Sequence, residues 1–322
     1  MIHGNSRSIH MRVETPAEQL FFTTVFVSAT GIDGSTWTGT GFVYAVSTDR
    51  GAVDFLVTNK HVLDGAGEVT LQFIRDRDGQ PAFGEALRAQ LAPLDPSNWY
   101  GHPVDKVDVA VLPLGLALNQ LVAQGHRPFF RSLPESLIPD QAIISGFDAV
   151  ERVTFIGYPA GLYDTANLTP IARQGYTATP IALDYEGLPQ FVIDAAVFPG
   201  SSGSPVFLYD KGMIVDRQGN VTIGSRLYLL GVLASVHRDE VEAEVEEAAH
   251  RLVARVEQLL GLGIVFKTTS IDECVDQALR KHGFARSAIH PRPEPQSPPP
   301  EGTPPDREIA GNPEVVRSQR RT

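Results

Sequence analysis

The chain is poor in cysteine, poor in tryptophan and poor in positive charge. One cysteine, Cys274, occurs in 322 residues, so no disulfide can form within the chain. A disulfide-stapled secreted domain is thereby excluded, and the expected compartment is the cytoplasm. Lys and Arg number 27 against 38 Asp and Glu, a formal charge of −11. Non-specific nucleic-acid binding needs a basic face that this balance does not supply. No run approaches the roughly 20 apolar residues of a membrane span, and the start, Met1 to Arg7, lacks an apolar signal region. Neither nucleic acid nor membrane is an expected partner. The nine histidines lack metal-ligand spacing (His102, His126 and His250 are scattered), so no metal and no cofactor is expected.

What is present is a chain that is 42% hydrophobic and 20% charged, enough to bury a sizeable core. Residues 1–14 read as a flexible lead, closed by a short helix start in which Thr15 caps, Pro16 opens and Glu18 completes a capping box. Short β-branched and aromatic runs follow: Phe22–Ala29, Gly39–Val46, Asp54–Asn59, Glu68–Ile74, Leu87–Leu94 and Val107–Leu112. A connector over about 114–150 carries a helix from Gly115 to Gly125. A second β series runs through Arg152–Gly157, Ile171–Arg173, Thr177–Leu183, Gln190–Val197, Pro205–Leu208, Val221–Ile223 and Tyr228–Val236. The expected fold is all-β, two six-stranded antiparallel barrels over about 20–113 and 151–270. Within the second, Val241, Val245, Ala248, Leu252, Val256 and Leu259 fall at helical spacing, which predicts an inserted helix over 239–260. Ser270 to Gly283 predicts a C-terminal helix. Residues 284–322, with Pro298-Pro299-Pro300, read as a disordered tail.

Phe198-Pro199-Gly200-Ser201-Ser202-Gly203-Ser204-Pro205 holds a serine between glycines at a turn, where backbone N–H groups can converge on one point. A serine nucleophile needs a base, and the base needs an orienting group. His61 stands at the end of the apolar strand Phe55–Asn59. Asp108 stands inside Val107-Asp108-Val109-Ala110-Val111-Leu112, where an unpaired carboxylate would be costly to bury. Asp105 is the runner-up, in a setting that reads as a solvated turn.

In the order His61, Asp108, Ser202, the segments Thr58–Leu63, Asp108–Leu112 and Gly200–Pro205 resemble the three catalytic motifs of the chymotrypsin-like serine proteases. The resemblance covers residues 20–283 and lies nearest the cysteine-poor bacterial branch that includes the high-temperature-requirement proteases. An α/β-hydrolase elbow does not fit: Ser204 occupies its second glycine, and its histidine comes last in the chain.

The resemblance implies a serine endopeptidase acting on protein or peptide substrates through an acyl-enzyme. Ser202 is its nucleophile, His61 its base and Asp108 its orienter. The N–H groups of Gly200 and Ser202 form its oxyanion hole, with Ser201 completing the turn. It further implies a substrate pocket lined by Ala196, Ala234, Ser235 and Val236. Val236 narrows that pocket toward small or medium aliphatic side chains, and His237 is a second candidate, for an acidic one. Ser201 replaces the aspartate that digestive relatives carry before the nucleophile, so activation by N-terminal clipping is not expected. The helix over 239–260 has two readings, a stabilising insert or a gate for a regulatory protein partner. The alternative to an active enzyme is a latent or non-hydrolytic module whose oxyanion loop is ordered only by a partner. Tyr158-Pro159 reads as a turn, and Arg173-Gln174-Gly175 as strand bordering the cleft.

Overall fold

A computed structural model describes residues 11–215, 217, 219–247 and 250–287, with the backbone alone described over 235–260. The first turn of helix, α1 (Pro16–Leu20), is built as its residues dictate: Thr15 caps it, and the Glu18 side chain returns the capping-box bond. The first lobe then lays down β1 (Thr24–Gly31), β2 (Thr36–Thr48) and β3 (Gly51–Thr58). A single helical turn α2 (Lys60–Leu63) precedes β4 (Ala66–Arg77), β5 (Gln80–Leu91), β6 (Tyr100–Gly101) and β7 (Ala110–Pro113). After α3 (Gly115–Ala123), two short strands, β8 (Pro128–Phe129) and β9 (Leu133–Pro134), return to the same sheet. The order is β5-β4-β1-β2-β3-β7-β6, with β8 on β4 and β9 parallel to β2. Thus the six runs legible in the sequence become β1–β5 and β7, joined by three two-residue strands.

After α4 (Gln141–Ser145), the second lobe is a closed barrel. Its strands are β10 (Arg152–Gly157), β11 (Ile171–Thr177), β12 (Gln190–Asp194), β13 (Pro205–Val215), β14 (Val221–Glu247) and β15 (His250–Lys267), in the order β10-β11-β12-β15-β14-β13. The expected strand over Thr177–Leu183 stops at Thr177, where the chain turns through Pro180.

The helix expected over 239–260 is not formed. That stretch is the outer part of β14 and β15, an antiparallel hairpin with Val241 opposite Val256, Ala243 opposite Ala254 and Val245 opposite Leu252. The sequence carries both periods. Glu240-Val241-Glu242-Ala243-Glu244-Val245-Glu246 alternates strictly, and β-branched valine favours the strand. The register also sets Glu242 opposite Arg255 and Glu246 opposite Arg251.

The C-terminal helix α5 (Thr268–His282) forms as expected and ends at Gly283 in the left-handed conformation. Ile271, Cys274, Val275, Ala278 and Leu279 make its buried stripe. They pack in one core cluster with Phe42, Tyr44 and Val109 of the first lobe and Phe207, Val232 and Phe266 of the second. The expected tail begins later than 284: Ala285 and Ser287 hydrogen-bond back to the β2–β3 hairpin at Asp49 and Ser47. Residues 1–10 and 288–322, which hold most of the expected lead and tail, lie outside the described residues.

Candidate active site

His61 lies one residue past the start of α2, so it follows β3 on a helical turn rather than standing on the strand itself. Asp108 likewise lies just ahead of β7, in the extended loop that enters it. The two are brought together. The Asp108 carboxylate takes the His61 ring at Nδ1, 2.5 Å from Oδ2, and accepts the His61 backbone N–H on Oδ1 at 3.2 Å. A carboxylate only accepts, so the Nδ1 atom carries the hydrogen of this bond, and in the neutral ring the lone pair is then on Nε2. Asp105 makes no such contact; its carbonyl accepts from Lys60.

Two neighbours of His61 hold Asp108 in place, and neither was assigned a role from the sequence. Asn59, fully buried, donates from its side chain to the Asp108 carbonyl. Lys60 Nζ donates to the carbonyls of His102, Val104 and Asp105, closing the loop that leads to Asp108. A buried Asn and a Lys flanking a candidate base were the available signal.

The serine turn comes from the second lobe. Phe198–Ser201 is a turn with Pro199 and Gly200 at its centre, and the Ser201 N–H donates to the Phe198 carbonyl at 3.0 Å. Gly200 has φ +83°, the value a type II turn demands at that corner, with proline favoured just before it. A Cβ on Gly200 would stand 2.8 Å from the Tyr158 carbonyl oxygen, so glycine is required on both counts. The Pro199 carbonyl accepts from Ala160 N–H at 2.6 Å. Carbonyl and N–H of a trans peptide point in opposite directions, so the Gly200 N–H faces away from the 158–161 turn. Among the described residues, neither the Gly200 nor the Ser202 N–H donates a hydrogen bond. Ser201 does not join them, because its N–H is spent inside the turn.

The Ser202 hydroxyl donates to the Ala234 carbonyl at 2.8 Å and makes no hydrogen bond to His61. The serine rotamer is thus directed to β14. Gly203 N–H to the Leu233 carbonyl at 2.7 Å and Leu233 N–H to the Ser204 carbonyl at 2.9 Å lock the turn onto β14.

Of the expected pocket residues, Ala234 is buried and Ala196 is exposed after β12. For Ser235 and Val236 the backbone is placed opposite Ile264 and Gly263, and their side chains lie outside the described residues. Arg173 stacks on Phe198, its guanidinium carbon 4.9 Å from the ring centre, which puts β11 beside the serine turn. Cys274 is no rival nucleophile: it is fully buried, and burial pushes its thiol up to about 12.

The sequence model of the trypsin-like peptidase domain matches residues 39–215, more than half of the chain and all three of His61, Asp108 and Ser202. The chain belongs to the trypsin-like peptidase domain family. No curated protein matches it. Among solved structures it is similar to the HtrA-type protease AlgW with a tripeptide, at 17% identity and TM-score 0.44, covering 83% of this chain and 63% of that one. The chain thus spans less than two thirds of that relative. It is also similar to the active form of a protease from M. tuberculosis (18%, TM-score 0.40, 86% and 88% covered). A serine endoprotease from Yersinia pestis gives 18% and TM-score 0.42, with 84% and 69% covered. Family membership rests on the domain match.

No helix among the described residues is long and apolar enough to cross a membrane.

Proposed function

We propose that this peptidase domain is a serine endopeptidase that hydrolyses peptide bonds through an acyl-enzyme. The observation that carries the reading is the pairing of an oriented His61–Asp108 couple with a formed turn whose two N–H donors are free. In the proposed reaction Ser202 Oγ leaves the Ala234 carbonyl, gives its proton to His61 Nε2 and attacks the scissile carbonyl carbon. The C–O bond forms as the carbonyl π pair moves to oxygen, where the Gly200 and Ser202 N–H groups meet the new charge. The oxyanion's pair then re-forms the carbonyl as the scissile C–N bond breaks, and His61, cationic and held by Asp108, returns the proton to the leaving amine nitrogen. Water repeats the sequence to release the acid. The residues themselves supply nucleophile, base and oxyanion donors, so no cofactor enters.

The second reading, a latent module, finds its support in the Ser202–Ala234 bond, which keeps the nucleophile off its base until something draws it away. The formed oxyanion turn speaks for substrate itself as that agent. A regulatory partner reaching the site through residues 239–260 would meet a β-hairpin. Cytoplasmic location and a small or aliphatic side chain at the cleavage site complete the proposal.

A peptide-library digest tests it. Cleavage after small or aliphatic residues by the wild type, absent from Ser202→Ala, supports the endopeptidase. Identical profiles for both proteins would refute it.

A further inference from the structure

Both peptide groups flanking Gly200 are held by their carbonyls, and one side chain links the two grips. The Pro199 carbonyl is held by Ala160 N–H at 2.6 Å, and the Gly200 carbonyl by the Thr40 hydroxyl at 2.9 Å. That hydroxyl also accepts the Tyr158 N–H at 3.0 Å. A hydroxyl has a single hydrogen, so accepting from Tyr158 leaves that hydrogen to point at Gly200. Tyr158 opens the turn that presents Ala160, whose φ of +51° is unusual for a residue with a side chain.

The Thr40 backbone adds two further bonds. Its N–H donates to the Ser202 carbonyl at 2.9 Å, and its carbonyl accepts from Thr58 Oγ1 at 2.7 Å. Thr58 ends the strand that leads to His61. Thr40 is wholly buried, and the space around it is full: a Cβ on Gly203 would stand 1.7 Å from the Thr40 carbonyl oxygen, and one on Gly157 2.8 Å from its hydroxyl. In Thr40→Val a methyl group takes the hydroxyl's place and leaves no room for a water to make its bonds.

We propose that Thr40, a first-lobe residue, is a positioning residue for the oxyanion turn: its hydroxyl fixes the Gly200 carbonyl and the Tyr158–Gly161 turn together, and so aims the Gly200 N–H. The catalytic part of this inference rests on the endopeptidase reading above, while the positioning itself does not. A Thr that merely cemented two strands would lower stability without touching the turn's order or the transition state selectively.

The test compares full-length wild type, Thr40→Val, Thr40→Ala and Thr40→Ser. Amide hydrogen exchange over residues 198–204 reads positioning without any need for activity. Peptide hydrolysis and inhibition by a peptide aldehyde, whose adduct carries an oxyanion, read its catalytic consequence. Thr40→Val should speed exchange in that segment by about 10-fold or more, because the Gly200 carbonyl loses its partner. It should lower kcat by roughly 10- to 100-fold with KM nearly unchanged, and weaken the aldehyde by the same factor as kcat/KM. Thr40→Ser should stay within about 3-fold of wild type, since it keeps the hydroxyl. Unchanged exchange and kcat in both Thr40→Val and Thr40→Ala would overturn the proposal. So would failure of both to fold while Thr40→Ser folds, because the role would then be structural. An inert wild type would remove the endopeptidase reading and leave the exchange result to decide Thr40.

Discussion

At the scale of single residues the candidate site is an arrangement of carbonyls as much as of candidate catalytic side chains. Ser202 donates to one carbonyl, and Pro199 and Gly200 have theirs gripped from outside the turn. Gly200 and Gly203 both have positive φ and no room for a Cβ, and Gly200 is the one whose N–H bears on the proposed oxyanion hole. Gly200→Ala puts a Cβ against the Tyr158 carbonyl at a φ that alanine resists, and the peptide must turn to relieve it. The expected result is a fall in kcat of about 10²–10³, the cost of losing one oxyanion donor, with KM and far-UV circular dichroism little changed. A kcat within about 3-fold of wild type would take Gly200 out of the hole. His61→Ala should cost about 10⁴–10⁶ in kcat, because the base and nucleophile act as one unit. The contact between His61 and Asp108 could be expected from the sequence because each stands in a short motif and a carboxylate in an apolar run implies a partner; Asp108 is half-buried in the structure. The contacts of Thr40, Asn59 and Lys60 could not, since their work is done on main-chain carbonyls far away in sequence. Side chain to main chain bonds across 160 residues, as from Thr40 to Gly200, leave no local pattern.

At the scale of elements, α5 carries a charged cluster at its outer edge. Tyr44 donates to Asp272, and Arg286 reaches Asp272 at 3.0 Å and Glu135 at 2.7 Å. Burial raises the Asp272 carboxyl above its ordinary value, against the opposing pull of Arg286. A raised carboxyl means that the folded protein holds this proton more tightly than the unfolded chain. The contribution of Asp272 to stability is therefore greatest at low pH and declines as pH rises through its raised pKa. The melting temperature of wild type relative to Asp272→Asn should fall as pH goes from about 3 to 7. A difference that grew with pH would reverse the assignment. The same scale explains the misread hairpin. Residues 239–260 satisfy a helical and an alternating pattern together, and a periodicity count cannot choose between them. The choice is made by strands that already pair at Leu233–Val265 and Val236–Gly263 and extend outward, through register shifts after Leu233 and Val236, into the pairing that begins at Arg238–Leu259. By contrast α5 was legible, because its apolar stripe has one period and a glycine stop.

At the scale of the whole molecule, the candidate residues come from opposite lobes, His61 and Asp108 from the first and Ser202 from the second. The core cluster that runs from Phe42 and Tyr44 through Phe207 and Val232 to α5 joins the two lobes. Ile271, fully buried in that cluster, is a direct probe of it. Ile271→Ala should lower the unfolding free energy by roughly 2–5 kcal/mol in a urea titration, through lost burial and the cavity left behind. A change below about 0.5 kcal/mol would mean that α5 does not seal the two lobes. The two-lobed β plan was legible from strand count and turn spacing. What holds the lobes to one another was not, since contacts between distant strands follow from closure rather than from any segment's composition. The central claim, that Ser202 is a nucleophile served by His61 in a formed site, is tested most directly by fluorophosphonate labelling of the purified full-length chain, followed by mass spectrometry of the Ser202 peptide. One phosphonyl group is expected on Ser202 in wild type, none in Ser202→Ala, and greatly slowed labelling in His61→Ala. An unlabelled Ser202 in folded wild type, or equal labelling rates with and without His61, would contradict it.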